Sequence, residues 1–174
     1  MHQKLPKELD PFRLAQNGLK LEGQIPLADL PRLTQSLLSD QGMVDVKMAF
    51  DIDEVGTPYM KGEFSVSVSL TCQRCMSAMA LDLNVDCLLA LVKSERKVEG
   101  LAEQYEPWLL ESNDPVLTST VIEDELILSL PLVPKHDIAC LPDNIWTAGD
   151  DNIITEDEKP VSPFAVLSSL KTKK

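Results

Sequence analysis

Histidines, long apolar runs and phosphate-binding loops are scarce or absent in this chain of 174 residues. It has only two histidines, His2 and His136, and neither a glycine-rich phosphate loop nor a nucleophile elbow. No stretch approaches the roughly 20 consecutive apolar residues of a membrane span, and the first residues lack the apolar segment of a signal peptide. The sequence therefore predicts a cytoplasmic protein that is neither an enzyme nor a membrane protein.

The composition is that of one domain with tails. Hydrophobic residues make up 44% of the chain, which is enough for a core of its own. Four cysteines without an export signal indicate a reducing compartment, where thiols bind metal or stay free more often than they form disulfides. We predict a domain over residues 1–147, an acidic linker at 148–161 and a short amphipathic peptide at 162–174. The sequence does not indicate an oligomeric state.

Negative charge is concentrated in one part of the chain, whose net charge is −12. Residues 99–160 hold 15 acidic residues against Lys135 and Lys159, a local charge of −13. This field repels phosphate backbones and attracts basic partners, although it could also serve only solubility. A limited RNA contact would have to use cations outside this region, and the candidates are Arg74, Lys93, Arg96 and Lys97.

A Cys-x2-Cys knuckle, Cys72 and Cys75, follows a strand-like run, and His136 and Cys140 lie beyond a predicted helix. Thiolates two residues apart can turn onto one ion, and a tetrahedral zinc site needs four ligands of the Cys or His type. A structural zinc ion held by all four side chains would clip the end of the sheet to the segment after the helix. The alternative is ordinary reduced thiols and an incidental histidine. Cys87 lies in an apolar run and is interpreted as a small buried hydrophobic residue.

Alternating apolar and polar side chains predict several β-strands. The clearest alternation places Phe64, Val66 and Val68 on one side of a strand and serines on the other. Strands are predicted at residues 18–23, 43–50, 59–71 and 79–92, with a candidate edge strand at 105–110. Their short connections predict an antiparallel meander whose apolar face needs a cover.

Helices are predicted to provide this cover. The first has Pro31 in its first turn and reaches Leu38. The second has Asp114 as its N-cap and Pro115 as its first helical residue, and its apolar stripe lies in residues 116–130. Residues 1–17 show no clear period and are interpreted as an extended arm docked on the domain. The predicted fold class is therefore α+β, an antiparallel meander sheet covered by one or two helices.

Three consecutive carboxylates, Glu123, Asp124 and Glu125, lie on the second predicted helix. Consecutive helical positions point about 100 degrees apart, so the three cannot converge on one substrate. We interpret them as a solvated or partner-facing helix edge.

The C-terminal region is predicted to be a disordered acidic linker followed by a short helix. The linker is poor in apolar side chains, and the apolar side of the helix includes Phe164, Leu167 and Leu170. Such a peptide either docks on a partner or folds back on its own domain, and both alternatives stay open.

Several blocks of sequence together resemble the bacterial YceD family, whose members are called large ribosomal RNA subunit accumulation proteins. The similar blocks include Leu5-Pro6, Asp10-Pro11, Leu70-Thr71-Cys72-Gln73-Arg74-Cys75, Tyr105-Glu106-Pro107, and residues 121–136 and 163–171. The resemblance covers nearly the whole chain. It implies a cytoplasmic, non-enzymatic factor needed for the synthesis, processing or accumulation of large-subunit (23S) ribosomal RNA.

The resemblance also bears on the metal. Many members carry cysteines where His136 and Cys140 stand, followed by a further Cys-x2-Cys pair, whereas residues 141–149 contain no cysteine. This leaves Cys72, Cys75, His136 and Cys140 as the full ligand set, unless this branch has lost the metal.

The implied role and the acidity together favour an indirect mechanism. In this hypothesis, residues 99–160 bind a basic ribosomal protein or rRNA-processing factor, and the chain associates with pre-ribosomal particles. The alternative is a general acidic protein-interaction module with structural zinc and only a remote role in RNA metabolism.

Overall fold

A computed structural model describes residues 5–112 and 114–141 of the chain. One compact unit spans Met1–Cys140. The predicted linker at 148–161 and the peptide containing Phe164, Leu167 and Leu170 lie outside the described residues, as does the predicted domain boundary at 147. Within the described ranges, no helix is both long and apolar enough to cross a membrane.

The described chain contains seven strands and three α-helices. The strands are β1 (Glu8–Leu9), β2 (Lys20–Pro26), β3 (Met43–Ile52), β4 (Pro58–Thr71), β5 (Ala78–Val92), β6 (Glu106–Leu109) and β7 (Val116–Leu117). The helices are α1 (Pro11–Gln16), α2 (Pro31–Thr34) and α3 (Thr118–Ser129), and short 3-10 helices occupy Leu27–Asp29 and Glu95–Gly100. The predicted α+β class is confirmed.

The main sheet has the strand order β2-β3-β4-β5-β6. The first four strands form the predicted antiparallel meander, whereas β6 pairs with β5 in parallel. The connection over residues 93–105 therefore crosses back along the sheet rather than forming another hairpin. β4 and β5 form the longest pairing, from Tyr59 opposite Ala90 to Thr71 opposite Ala78.

One face of this sheet carries the core, and α1 packs against β3 and β4 while α3 packs against β5. Every second residue is buried from Val44 to Phe50 of β3 and from Met60 to Leu70 of β4, because successive strand residues point to opposite faces. The largest fully buried side chains from these strands are Val44, Val46, Met48, Phe50, Met60 and Phe64. The polar residues of the same strands, including Asp45, Lys47, Ser65 and Ser67, lie exposed on the opposite face.

The prediction of an extended N-terminal arm is wrong for the described part of that segment. Asp10 caps α1 because its carboxylate accepts a hydrogen bond of 3.1 Å from the backbone N–H of Arg13, and Pro11 occupies the first helical position. Before the helix, β1 pairs with β7 in a separate two-stranded sheet.

Two predicted helix boundaries are also wrong. The helix expected to reach Leu38 ends at Thr34, because the chain turns to bring the N–H of Leu38 to the carbonyl of Ser69 at 2.8 Å. The helix expected to begin after Asp114 begins at Thr118, since Val116 and Leu117 pair with β1 instead. Leu128, on the same helix, is 77% exposed.

Candidate metal centre and charged surfaces

The Cys72–Cys75 knuckle is a tight turn between β4 and β5. The N–H of Met76 donates to the carbonyl of Cys72 at 2.8 Å, and the N–H of Cys72 donates to the carbonyl of Ser77 at 2.9 Å. Met76 has a φ of 60°, an uncommon left-handed conformation for a residue with a side chain. This turn brings both thiols to the side on which the segment after α3 arrives.

Arg74, inside the knuckle, holds that segment in place. Its guanidinium donates hydrogen bonds to the carbonyl of His136 at 2.9 Å, to the carbonyl of Ile138 and to the sulfur of Cys140 at 3.0 Å. The N–H of Gln73 donates to the carbonyl of Pro134 at 2.8 Å. The predicted RNA candidate Arg74, which is partly exposed, thus contacts residues 136–140, where it positions the third and fourth candidate ligands.

The four predicted ligand residues lie together, with one ligand atom from each residue within 4.8 Å of the others. Cys72 Sγ lies 3.9 Å from Cys140 Sγ, and Cys75 Sγ lies 3.5 Å from His136 Nδ1. Two sulfurs bound to one tetrahedral zinc at about 2.3 Å each would stand about 3.8 Å apart. The observed spacing therefore fits one metal ion.

His136 is oriented in the manner of a metal ligand. Its Nε2 lies 3.3 Å from the carbonyl of Ala78, so a proton assigned to Nε2 can be donated there while the lone pair of Nδ1 faces Cys75. A carbonyl partner on the far ring nitrogen fixes both tautomer and ring orientation in zinc sites.

The electrostatics of the knuckle favour a thiolate at Cys72. Burial opposes ionisation of this thiol, but the backbone amide groups of Cys75 and His136 outweigh it and lower its pKa to about 5. The hydroxyl of Ser77, 2.9 Å from Cys75 Sγ, lowers the pKa of that thiol as well. Because thiolate is the form that binds metal, the knuckle is ready to bind.

The pKa values of Cys140 and His136 are also shifted by their surroundings. Burial raises the pKa of the Cys140 thiol, although the guanidinium of Arg74 works in the opposite direction. The thiols of Cys72 and Cys75 raise the pKa of His136. Metal binding at all four residues would therefore release protons from this pair.

Glu123 does not lie on a solvated helix edge, and that part of the prediction is wrong. Its side chain is 4% exposed and accepts hydrogen bonds from the backbone N–H groups of Arg32 and Leu33, at 2.7 and 3.3 Å. Those N–H groups belong to the first turn of α2, which has no side-chain cap of its own. Glu123 therefore joins α2 to α3.

Asp124 and Glu125 lie closer to solvent, and together with Glu106 of β6 they form an acidic surface. Asp124 makes an exposed ion pair of 2.6 Å with Arg32. Burial raises the pKa of Glu125, and the charges of Glu106 and then Asp124 raise it further. Glu125 is thus close enough to Glu106 and to Asp124 to be repelled by both carboxylates.

The four cations predicted for RNA contact do not form one surface. Arg74 lies at one end of the β4–β5 hairpin, beyond Thr71, while Lys93, Arg96 and Lys97 follow Val92 at the other end. A strand of 15 residues spans on the order of 45 Å, so the two groups are far apart. Lys93, Arg96 and Lys97 instead border one cavity of about 410 Å³, named here the cationic pocket.

Sequence reasoning missed the roles of Glu123 and Arg74. For Arg74, its place between two candidate ligands was a signal that it could orient the others. For Glu123 the signal was weaker. It is an acidic residue on the helix that covers the sheet, and the other helix begins without a capping side chain. Cys87 is buried, as predicted, and burial raises the pKa of its thiol to about 12.

Comparisons with known proteins identify relatives by sequence. Residues 60–171 match the model of a family described as "Large ribosomal RNA subunit accumulation protein YceD". A protein of Haemophilus influenzae bearing the same description is 31% identical over 174 residues, which covers 98% of this chain and 98% of the relative. No solved structure matches the chain.

Proposed function

We propose a function on the basis of the family. The chain belongs to the YceD family of large ribosomal RNA subunit accumulation proteins. The protein acts in the cytoplasm in the accumulation of large-subunit (23S) ribosomal RNA, as a factor in ribosome synthesis or RNA processing. The family match is the observation that carries this role.

The proposed role is binding rather than catalysis. Cys72, Cys75, His136 and Cys140 provide four protein ligands, and a tetrahedral ion with four protein ligands has no open position for substrate. We assign this site to structural zinc. The ion would tie the β4–β5 turn to the segment after α3, where Arg74 already holds the backbone.

The proposed partner is a basic ribosomal protein or rRNA-processing factor that binds the acidic surface. The charges of Glu106 and Asp124 repel that of Glu125, and a basic side chain arriving beside Glu125 would relieve this repulsion. Glu123 is removed from the proposed contact because its carboxylate is buried against α2. Binding by Phe164, Leu167 and Leu170 stays a prediction.

Cosedimentation with pre-ribosomal particles tests this role. The charge-reversed variant Glu106→Lys with Asp124→Lys is compared with Glu22→Lys with Asp82→Lys, which makes the same charge change at exposed positions of the sheet. We expect the native protein and the control to sediment with the particles and the acidic-surface variant to be released.

Two other outcomes would change the proposal. A native protein that stays at the top of the gradient would favour a general acidic interaction module with a remote role in RNA metabolism. Equal retention of both variants would show that the acidic surface does not bind the partner.

A further inference from the structure

The cationic pocket differs in charge from the rest of the molecule. In a chain of net charge −12, the charged side chains that line it among residues 5–112 and 114–141 are all cations, Lys93, Arg96 and Lys97. All three are exposed, and none forms an ion pair with a carboxylate in the described parts of the chain. Glu95 and Glu99 lie on the same 3-10 helix as Arg96 and Lys97 but do not line the cavity. The pocket is therefore a local patch of positive charge on an acidic protein.

The floor of the pocket is apolar. Phe12, Pro58 and Leu101 contribute to its lining, and the Nζ of Lys93 lies 4.8 Å from the centre of the Phe12 ring. A cavity of about 410 Å³ is within the range of small-molecule sites. Cations at the rim and carbon atoms below suit a ligand with a phosphate at one end and a flat, weakly polar group at the other.

One wall of the pocket is held in shape by Asp53. This wall is the β3–β4 turn, where Val55 is 86% exposed. The carboxylate of Asp53 accepts hydrogen bonds from the N–H groups of Val55 at 3.0 Å and Thr57 at 2.7 Å, and from the hydroxyl of Tyr105 at 3.0 Å. An ordered wall lowers the entropy cost of binding a ligand.

We propose that the cationic pocket binds a nucleotide unit of single-stranded RNA, with the phosphate near Lys93, Arg96 and Lys97 and the base on the apolar floor. This inference rests on the proposed role in ribosomal RNA accumulation and adds a direct contact to it. Stacking of bases on aromatic side chains, here Phe12, together with phosphate contact with cations is the general way in which single strands are bound without a sequence requirement. The small size of the pocket limits this contact to a short segment, so it is compatible with a basic protein as the main partner.

The test is fluorescence anisotropy of a labelled oligouridylate of about ten nucleotides with the full chain at low salt. The variant Lys93→Gln, Arg96→Gln, Lys97→Gln is compared with Lys20→Gln, Lys47→Gln, Lys61→Gln, which removes the same charge from exposed positions of the sheet. We expect the pocket variant to lose about tenfold or more in affinity and the control to stay within about twofold. The second pocket variant Val55→Asp, which adds a carboxylate at an exposed position, should also weaken binding.

Competition with adenosine monophosphate and with inorganic phosphate separates a nucleotide site from a simple anion site. We expect the nucleotide to displace the labelled RNA at a lower concentration than phosphate. Equal competition by the two, equal loss of affinity in both triple variants, or no RNA binding by the native protein would each overturn the inference. If the native protein binds no RNA yet sediments with pre-ribosomal particles, the pocket inference alone fails.

Discussion

The carboxylate of Glu123 accepts a hydrogen bond of 2.7 Å from the backbone N–H of Arg32, 91 residues earlier in the chain. It accepts a second from Leu33 at 3.3 Å, and so caps a helix that begins at Pro31 without a capping side chain. A buried charge with two backbone donors is well satisfied, whereas its removal leaves those donors without their partner. Glu123, which the sequence indicates as a surface charge, thus connects α2 and α3.

Replacing Glu123 should therefore destabilise the fold. We expect Glu123→Ala to lower the free energy of unfolding by about 1–3 kcal/mol. Glu123→Gln should cost less, because its amide oxygen can still accept from Arg32. The neighbouring Asp124→Ala is the matched control and should cost about 0–1 kcal/mol, since its ion pair is exposed. Urea unfolding measures all three, and equal losses for Glu123→Ala and Asp124→Ala would contradict the cap.

Much of the sheet could be predicted from the sequence because burial alternates along a strand. Val44 and Val46 on β3 and Val66 and Val68 on β4 are buried on one face, as the alternation indicates. The proximity of the metal candidates could also be predicted, since the spacing of Cys72 and Cys75 indicates a shared site.

What could not be predicted depends on contacts between distant segments. Nothing local to Val116 shows that it pairs with Leu9, and that pairing delays the start of α3. Likewise, Arg74 and Lys93 are near one another in the sequence but far apart in the fold, because the whole length of β5 lies between them. Local patterns predict elements, whereas partners across the chain depend on the assembled fold.

The zinc content of the protein should depend on Cys72 and Cys75 and not on the buried thiol of Cys87. We expect one equivalent of zinc in protein purified without chelator or a metal-affinity tag. Cys72→Ser with Cys75→Ser should abolish it and lower the melting temperature, because the metal stabilises the folded state by binding it selectively. Cys87→Ser is the control and should keep the metal. Native protein without zinc would remove the metal from the proposal and leave Arg74 as the clamp on this segment.

Gly62 should not tolerate a side chain. A Cβ at this position would lie 2.6 Å from Cys87 Sγ and 2.8 Å from Cζ of Phe64, both buried. We expect Gly62→Ala to cost about 1–3 kcal/mol through overpacking. Gly100→Ala is the control, because no atom of the described residues lies within 4 Å of a Cβ there. Urea unfolding provides the measurement.

A double variant identifies the clash behind that loss. If Cys87 Sγ is an obstacle, Gly62→Ala combined with Cys87→Ala should lose less stability than the sum of the two single changes. Strictly additive losses would show that the sulfur is not what the new methyl group meets.

Glu125 should make the fold less stable as the pH rises. Burial raises its pKa above the ordinary value of 4.5, and the charges of Glu106 and Asp124 raise it further. The folded state therefore holds this proton more tightly than the unfolded chain, and stability falls as the pH rises from about 4.5 through the raised pKa. Thermal unfolding of Glu125→Gln between pH 4 and pH 7 should show a gain over the native protein at pH 7 that shrinks as the pH falls.

The variant Glu106→Gln separates the causes of this shift. Burial of Glu125 would remain, while the repulsion from Glu106 would be lost, so this variant should reduce the pH dependence without abolishing it. A profile for Glu125→Gln that runs parallel to that of the native protein would show that Glu125 does not titrate abnormally. It would also weaken the case for the acidic surface as a binding site, since the crowding that a basic partner is proposed to relieve would be absent.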